Sequence, residues 1–589
     1  MADKPYAPNS TEVGFGFSLP DFSSIYERLS SQLWNIGGAV LGAVLIGYFL
    51  QSVIARRQGR RAGRVIFWCV VLTTIILNVA DILIGLRGLP VPGLAMWAIV
   101  GIPVYFGLHR TMPYPKAGPR RAPGIGSGTH GSAHFGLADD MQRRGHLYAP
   151  GVSAAPALGR VDAGPALDPR FRYVGHILTC APTGSGKGIG AVIPTLLEYP
   201  GSMIVLDLKG ENYAVTARRR REMGHSVHVV DPFGVTGASA SGFNWLDRLD
   251  PSSPDVVSES AVLADMLIIP DPKGEAHWDD TARNLLQGLM VHVAASAPAD
   301  RRNMAEVRRL ITGTEDDLIH VLAEMSLSQA GFGLVARSAN SFLAKAEKER
   351  SGVLSTAIKH TAFLDDPRIA AALERTDFDL NQLKHKLMTV YIVLPPNRLA
   401  AYGRFMRGFI GQALAGITSS DRKPEAPVYF LLDEFAQLGR MQQVEDAISL
   451  VRGYGAHFWL IVQDLSQLKA IYPRWQTFLA NSAKQFFGTA DYDTARYISE
   501  SLGQQTIQFA TSSTNSSTSY SAHGGHSSGH STSQQHAGRA LLTPDEVMRL
   551  GPQRPIVFLS GEAPYVLGRI NYLHDPEYAG LFDPNPYHA

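Results

Sequence analysis

The sequence predicts an α/β protein: a parallel sheet covered by helices on both faces, interrupted by an all-helical insertion and preceded by a membrane-spanning segment. Three observations predict it. Short apolar runs rich in β-branched and aromatic residues alternate with helical stretches after Tyr173. No such run occurs from 257 to 384, where apolar residues recur at helical spacing. The first 110 residues are far more apolar than the rest.

The N-terminal part divides at 32. Residues 1–32 form a polar segment, expected on the periplasmic side, and 33–110 a transmembrane region of two or three helices. Leu33 to Ala55 holds no charged residue over 23 positions, and about 20 suffice to cross a ~30 Å hydrocarbon core as a helix. RRQGRRAGR follows at 56–64 with five arginines. A second apolar run from Val65 to Leu86 is broken by Asp81, and a third, Gly88 to Leu108, carries Pro90, Pro92 and Pro103. Arg110, Lys116, Arg120 and Arg121 come next. Both basic stretches belong on the cytoplasmic side, which three spans satisfy and which leaves the large remainder cytoplasmic.

Residues 111–170 are rich in Gly, Pro and Ala and read as a linker with one ordered patch near HGSAHFG (130–136). The sheet-based domain comes in two parts, 171–256 and 385–589. Its strands are expected in YVGHILTC (173–180), SMIVLDL (202–208), SVHVVD (226–231), LMTVYIVLP (387–395), PVYFLLDE (427–434) and HFWLIVQD (457–464). Between the two parts, 257–384 reads as an inserted all-helical domain, with Trp278 and Phe342 as core residues. Residues 509–538 are mostly Ser, Thr, Gly, His and Gln and are expected to form a flexible loop.

Composition excludes several classes. With 54 basic and 52 acidic side chains the chain is not basic overall, so charge gives no argument for nucleic acid. Two cysteines exclude a disulfide scaffold. ARRRRE (217–222) reads as a solvated helix face, since consecutive arginines spread around a helix. His523, His526, His530 and His536 lack partners at ligand spacing for zinc.

The chemistry begins where the first strand runs into APTGSGKG (181–188). A strand, a Gly-rich turn and then a helix is the context of a phosphate-binding loop. The candidate nucleotide contacts are Thr183, Gly184, Ser185, Gly186, Lys187 and Gly188. Gly184 and Gly186 let backbone N–H groups point inward, Lys187 supplies charge to the β- and γ-phosphates of ATP, and the helix adds its N-terminal dipole. Gly188 stands where Ser or Thr normally ligates Mg²⁺. Asp433 and Glu434 end a wholly apolar strand: Asp433 for Mg²⁺, Glu434 to polarise the attacking water. Gln463 ends the next strand and Arg452 follows the helix after Asp433. From the residues alone, each reads equally as a γ-phosphate contact or as surface.

APTGSGKGIGAVIPTLL, VLDLKGENY, FNWLD, KERSGVLSTA, LLDEFAQLG, IVQDLSQL and LLTPDEV, in this order, resemble the TraG/TraD-type coupling proteins of conjugation and type IV secretion over about 130–570. The resemblance implies a RecA-like P-loop NTPase domain with an inserted all-α domain, anchored in the bacterial inner membrane and assembled as a homohexamer. It implies ATP and Mg²⁺ as cofactors, and Lys187, Asp433, Glu434, Gln463 and a trans-acting Arg452 as site residues. Asp207, Lys209 and Glu211 match a further motif near the nucleotide. The implied partners are a relaxase with single-stranded DNA or protein effectors, other inner-membrane secretion components, and lipid. The implied function is recruitment of substrate and its ATP-driven transfer. A nucleotide-switched receptor without pumping, and a chromosome-segregation type of DNA translocase, are the alternatives. Members of the family usually have two spans, whereas the arginines here favour three.

Overall fold

A computed structural model describes residues 130–148, 155–161, 170–269, 276–519 and 525–588. The spans expected within 33–110 and the segment 1–32 lie outside them. Among the described residues no helix is long and apolar enough to cross a membrane.

The centre is a nine-stranded sheet. Its parallel part consists of β4 (His176–Cys180), β5 (Met203–Asp207), β6 (Ser226–Val230), β7 (Met388–Val393), β8 (Val428–Leu432), β9 (Ala456–Val462) and β10 (Ser482–Phe486). β13 (Ile556–Phe558) adds antiparallel to β10, and β14 (Tyr565–Val566) to β13. The spatial order is β14-β13-β10-β4-β9-β8-β5-β7-β6. Each apolar run identified in the sequence supplies one parallel strand. Side chains alternate across a strand. Thus Leu178, Ile204, Leu206, Phe430, Leu432 and Leu460 enter one core, while Ile177, Met203, Val205, Tyr429, Leu431 and Ile461 enter another on the opposite face. A sheet buried on both faces explains why these runs are continuously apolar.

Among the described residues from 256 to 384 the elements are all helical, from Val256–Leu267 through Ala276–Ser296 and Glu347–Thr361 to a 3₁₀ turn at Leu380–Lys384. Leu263, Leu285, Leu289, Val307 and Phe342 are buried there and continue the first sheet core. The helix Leu399–Thr418 joins the two layers, buried along nearly its whole length.

Three expectations are corrected. Most of the described part of 111–170 is folded, not a linker. The helix Ala138–Arg143 leads to β1 (Leu147–Tyr148), and β2 (Ala157–Arg160) and β3 (Arg170–Arg172) complete a sheet of order β1-β3-β2. Its strands hide in the sequence because Arg170 and Arg172 look solvent-facing. Both are buried and paired with Glu198. The polar stretch 509–538 is a hairpin, not a loop: β11 (Gln504–Ser519) pairs antiparallel with β12 (Gly525–Ala540). The low apolar content is real, but inter-strand hydrogen bonds satisfy the backbone without side-chain burial. Finally, ARRRRE is no uniform solvated face. Arg220 is fully buried, and Arg218 pairs with Asp583 and Glu222.

Candidate functional site: a phosphate-binding loop at the carboxyl ends of the strands

Parallel α/β sheets bind ligands beyond the carboxyl ends of their strands, and here four strand ends converge. β4 turns at Cys180 into the loop 181–187. The Ala181 N–H donates to the Val462 carbonyl of β9 (2.9 Å), and the Ser185 N–H to Pro182 (3.1 Å). Gly184 and Gly186 take φ of 76° and 80°, a region open to glycine. Thr183 and Gly184 are exposed at the rim, and Ser185 is buried. The following helix opens with a π turn, Gly188–Val192, before the α-helix Ile193–Glu198. Such turns gather at functional sites.

β8 delivers Asp433 and Glu434 opposite the loop. The Lys187 ammonium donates to Asp433 Oδ1 (2.7 Å) and to Glu434 Oε1 (2.8 Å). Burial works against the charge of Lys187, but these two carboxylates outweigh it and raise its pKa. Glu434 stands at φ 51°, ψ 39°, left-handed for a non-glycine residue. That conformation costs about 1–2 kcal/mol and gathers at functional sites. β9 delivers Gln463, whose Nε2 donates to Glu434 Oε2 (3.2 Å). Gln437 Nε2 donates to the same oxygen (3.2 Å). Lys187, Asp433, Glu434 and Gln463 thus form one connected group across three strands.

Asp207 ends β5, beside β8. The pairing Val205↔Leu431 carries forward to place Asp207 level with Asp433. Burial pushes the Asp207 carboxyl up to about 7, against the hydrogen bond it accepts from the Tyr213 N–H (2.9 Å). Lys209 lies over the Tyr587 ring, and Glu211 accepts from Asn585. Those two therefore face the C-terminal segment.

Arg452 is not part of this group. It sits in the turn Val451–Tyr454, exposed, before the amino end of β9, whereas Gln463 follows its carboxyl end. Seven strand residues at ~3.3 Å each separate the two by about 20 Å. One residue that motif reading passed over does reach the loop: Arg569, beyond β14, donates from Nη1 to the Ser185 carbonyl (3.1 Å). Its only trace in the sequence is Gly190, a helical glycine that no motif requires.

Among the described residues no cluster of three His, Cys, Asp or Glu side chains is arranged to hold a metal. The donor set fits Mg²⁺ nevertheless. That ion binds through one or two carboxylates and completes its shell with phosphate oxygens and water. Asp433 provides such a carboxylate.

A strand-turn-helix loop with its lysine bridged to the acidic end of the strand two places along the sheet is the geometry of a P-loop NTPase, and comparison with known proteins narrows it. Residues 137–584 match the family Type IV secretory system Conjugative DNA transfer. The chain belongs to this family. It is 31% identical over 465 residues to Protein VirD4 of Rhizobium radiobacter, covering 77% of this chain and 65% of that protein. It is 31% identical over 467 residues to Conjugal transfer protein TraG of Escherichia coli, covering 72% of each. The chain thus spans just under two thirds of VirD4. Its fold is that of the bacterial conjugative coupling protein TrwBdeltaN70, solved with sulphate, at TM-score 0.55 and 17% identity, covering 74% of this chain and 93% of that one. TrwB in complex with the non-hydrolysable ATP analogue ADPNP gives TM-score 0.54 at 16% identity over the same shares. The chain thus has a TrwB-like P-loop NTPase fold with a mostly parallel central sheet.

Proposed function

We propose that this protein is an ATP-hydrolysing coupling protein that recruits a relaxase–DNA complex or protein effectors and drives their transfer through a type IV secretion or conjugation machine. The observation that carries the reading is the bridge from Lys187 to both Asp433 and Glu434, with Gln463 on the second carboxylate. A phosphate chain in the loop competes with these carboxylates for the ammonium. With nucleotide bound, Lys187 would serve the β- and γ-phosphates, and Asp433 would be the carboxylate that holds Mg²⁺. TrwB has been solved with ADP and Mg²⁺, which supports the same pair here. Freed from Lys187, Glu434 remains held by Gln463 and Gln437, oriented to accept a proton from the attacking water. Gln463 is placed to register the γ-phosphate.

Arg452, exposed at the far end of the sheet, serves a neighbouring subunit's nucleotide. That role requires a closed ring, and we take it to be a hexamer. The apolar runs within 33–110 anchor the ring in the inner membrane with the nucleotide domain cytoplasmic. The helices of 257–384 are the proposed receptor for substrate.

Glu434→Gln tests the reading. The variant keeps the shape of the site and loses the base, so it should bind ATP with near-native affinity and turn it over about 10²–10⁴-fold more slowly. Turnover at the native rate would sink the assignment.

A further inference from the structure

We propose that Arg569 is a positioning residue of the nucleotide site: it clamps the phosphate loop from outside and brings that site a positive charge that no carboxylate neutralises. The inference rests on the ATP-binding reading above and adds a residue to it.

The backbone holds Arg569 rigidly. Gly568 exchanges both backbone hydrogen bonds with Arg160 of β2 (2.7 Å each), and the Arg569 N–H donates to the Gln553 carbonyl (3.0 Å). From this anchored position the side chain runs across the outer surface of the loop and its helix. A Cβ built on Gly190 would lie 2.6 Å from Arg569 Cγ, and one on Gly186 would lie 2.2 Å from Arg569 Nη1. Neither glycine tolerates a side chain while Arg569 stays where it is. The guanidinium ends on the Ser185 carbonyl. In a phosphate-binding loop the N–H groups face inward and the carbonyls outward. Holding one carbonyl outward therefore holds the neighbouring N–H groups toward the phosphates.

The charge is as telling as the bond. Lys187 is shared between Asp433 and Glu434. Arg569 has no carboxylate partner among the described residues, and its Nε is buried without a hydrogen-bond partner. A guanidinium whose one hydrogen bond among the described residues is to a carbonyl of the phosphate loop is an uncompensated cation where an anion is to bind. Arg569 also lies on the segment that returns from the β11–β12 hairpin through β13 and β14. Loop geometry is thereby tied to that part of the chain.

The test uses the full chain purified in detergent, with ATP and ADP affinity, kcat, KM and melting midpoint measured for each variant. Lys187→Met serves as the control for a broken site. Arg569→Met keeps length without charge or donor, and should weaken ATP binding and raise KM about tenfold while kcat changes less than about threefold. Arg569→Lys restores charge and donor, and should return to within about threefold of native. Arg569→Gln, held to the same tenfold threshold, replaces the Met variant if that one does not purify folded. A neutral variant that binds ATP as the native chain does overturns the proposal. So do Lys and Met variants equally impaired, which would show a role in shape alone. A native chain that binds no ATP defeats the underlying reading instead, and leaves the variants without a comparison to fail.

Discussion

At the carboxyl ends of β4, β8 and β9 a lysine is shared between two carboxylates; at the amino ends of β5 and β7 an arginine is held by three backbone carbonyls, with Thr389 and His225 beside them. Arg220 is fully buried and donates to the carbonyls of Tyr199, Gly201 (2.7 Å) and Leu196 (3.4 Å) and to Thr389 Oγ1 (2.9 Å). Those acceptors are fixed by the chain and cannot leave. The partners of Lys187 can: each is a side chain with another task waiting in a phosphate or a metal. Nearby, Arg170 and Arg172 close on Glu198. His176 and His457 stay neutral, their pKa values pushed by burial to about 4 and about 3. The amino end buries charge to hold strands in place, and the carboxyl end holds charge ready for exchange.

The largest effect that would break this contrast is in stability. Arg220→Met leaves three carbonyls without their donor at about 1–3 kcal/mol each, less what water and relaxation recover. We expect a loss of about 3–5 kcal/mol, read as a fall in the urea midpoint, with nucleotide affinity intact in the molecules that remain folded. Lys187→Met should do the reverse, abolishing nucleotide binding while stability falls by less than in Arg220→Met, since the carboxylates it leaves still reach water. Equal destabilisation by the two variants would erase the distinction between the ends.

A smaller effect separates them by pH. In the unfolded chain the two histidines titrate near 6.5. Folded, they remain neutral until about 4 and about 3. Between those values the unfolded state binds more protons, so their contribution is complete above about pH 6.5 and is lost as pH falls. For His176 that loss amounts to about 3 kcal/mol by pH 4. Asp207 has the opposite sign. Its carboxyl, pushed up to about 7, holds a proton that the unfolded chain has released by about pH 4, so its burial costs stability as pH rises. His457→Phe should flatten the acid limb of stability against pH by about one proton, and Asp207→Asn should remove an opposing slope between about pH 4 and about pH 7, so that stability rises more steeply with pH there. An acid limb unchanged by His457→Phe would show that this ring is not neutral in the fold.

How much of this could be read beforehand differs between the two ends. The apolar strands and the residues Lys187, Asp433 and Glu434 are legible because strand burial and phosphate chemistry each demand particular residues in a short span, whereas Gln463 by itself reads equally as a γ-phosphate contact or as surface. β10 was not. Its sequence SAKQF looks polar, yet Gln485 is buried, accepting from Thr179 Oγ1 and donating to the Leu158 carbonyl, and Lys484 lies over the Phe558 ring. Arg220 was illegible for a related reason. Nothing local marks which of four arginines will meet the carbonyls at Tyr199 and Gly201. Arg569 lies 384 positions from the carbonyl it grips, and no motif spans that distance. Residues that answer to distant backbone leave no local pattern.

The smallest predicted effect concerns a glycine with no such distant reason. Arg569 passes over Gly190, and Gly186 also needs its left-handed backbone, whereas a Cβ built on Gly188 meets nothing within 4 Å. Space therefore does not exclude the Ser or Thr that P-loops commonly place there. Glycine inside a helical turn costs about 0.5–1 kcal/mol relative to alanine, and serine costs about half as much. Gly188→Ser should accordingly raise stability by about 0.5 kcal/mol. It should keep ATP turnover within about threefold of native, since the new hydroxyl points where a metal ligand is tolerated. The Mg²⁺ concentration needed for half-maximal turnover should fall. Gly190→Ala, two residues further on and against Arg569 Cγ, should weaken ATP binding instead. A loss of turnover beyond about tenfold in Gly188→Ser would mean that the hydroxyl displaces something the site needs, and that the openness at 188 serves the bound nucleotide and not the resting loop.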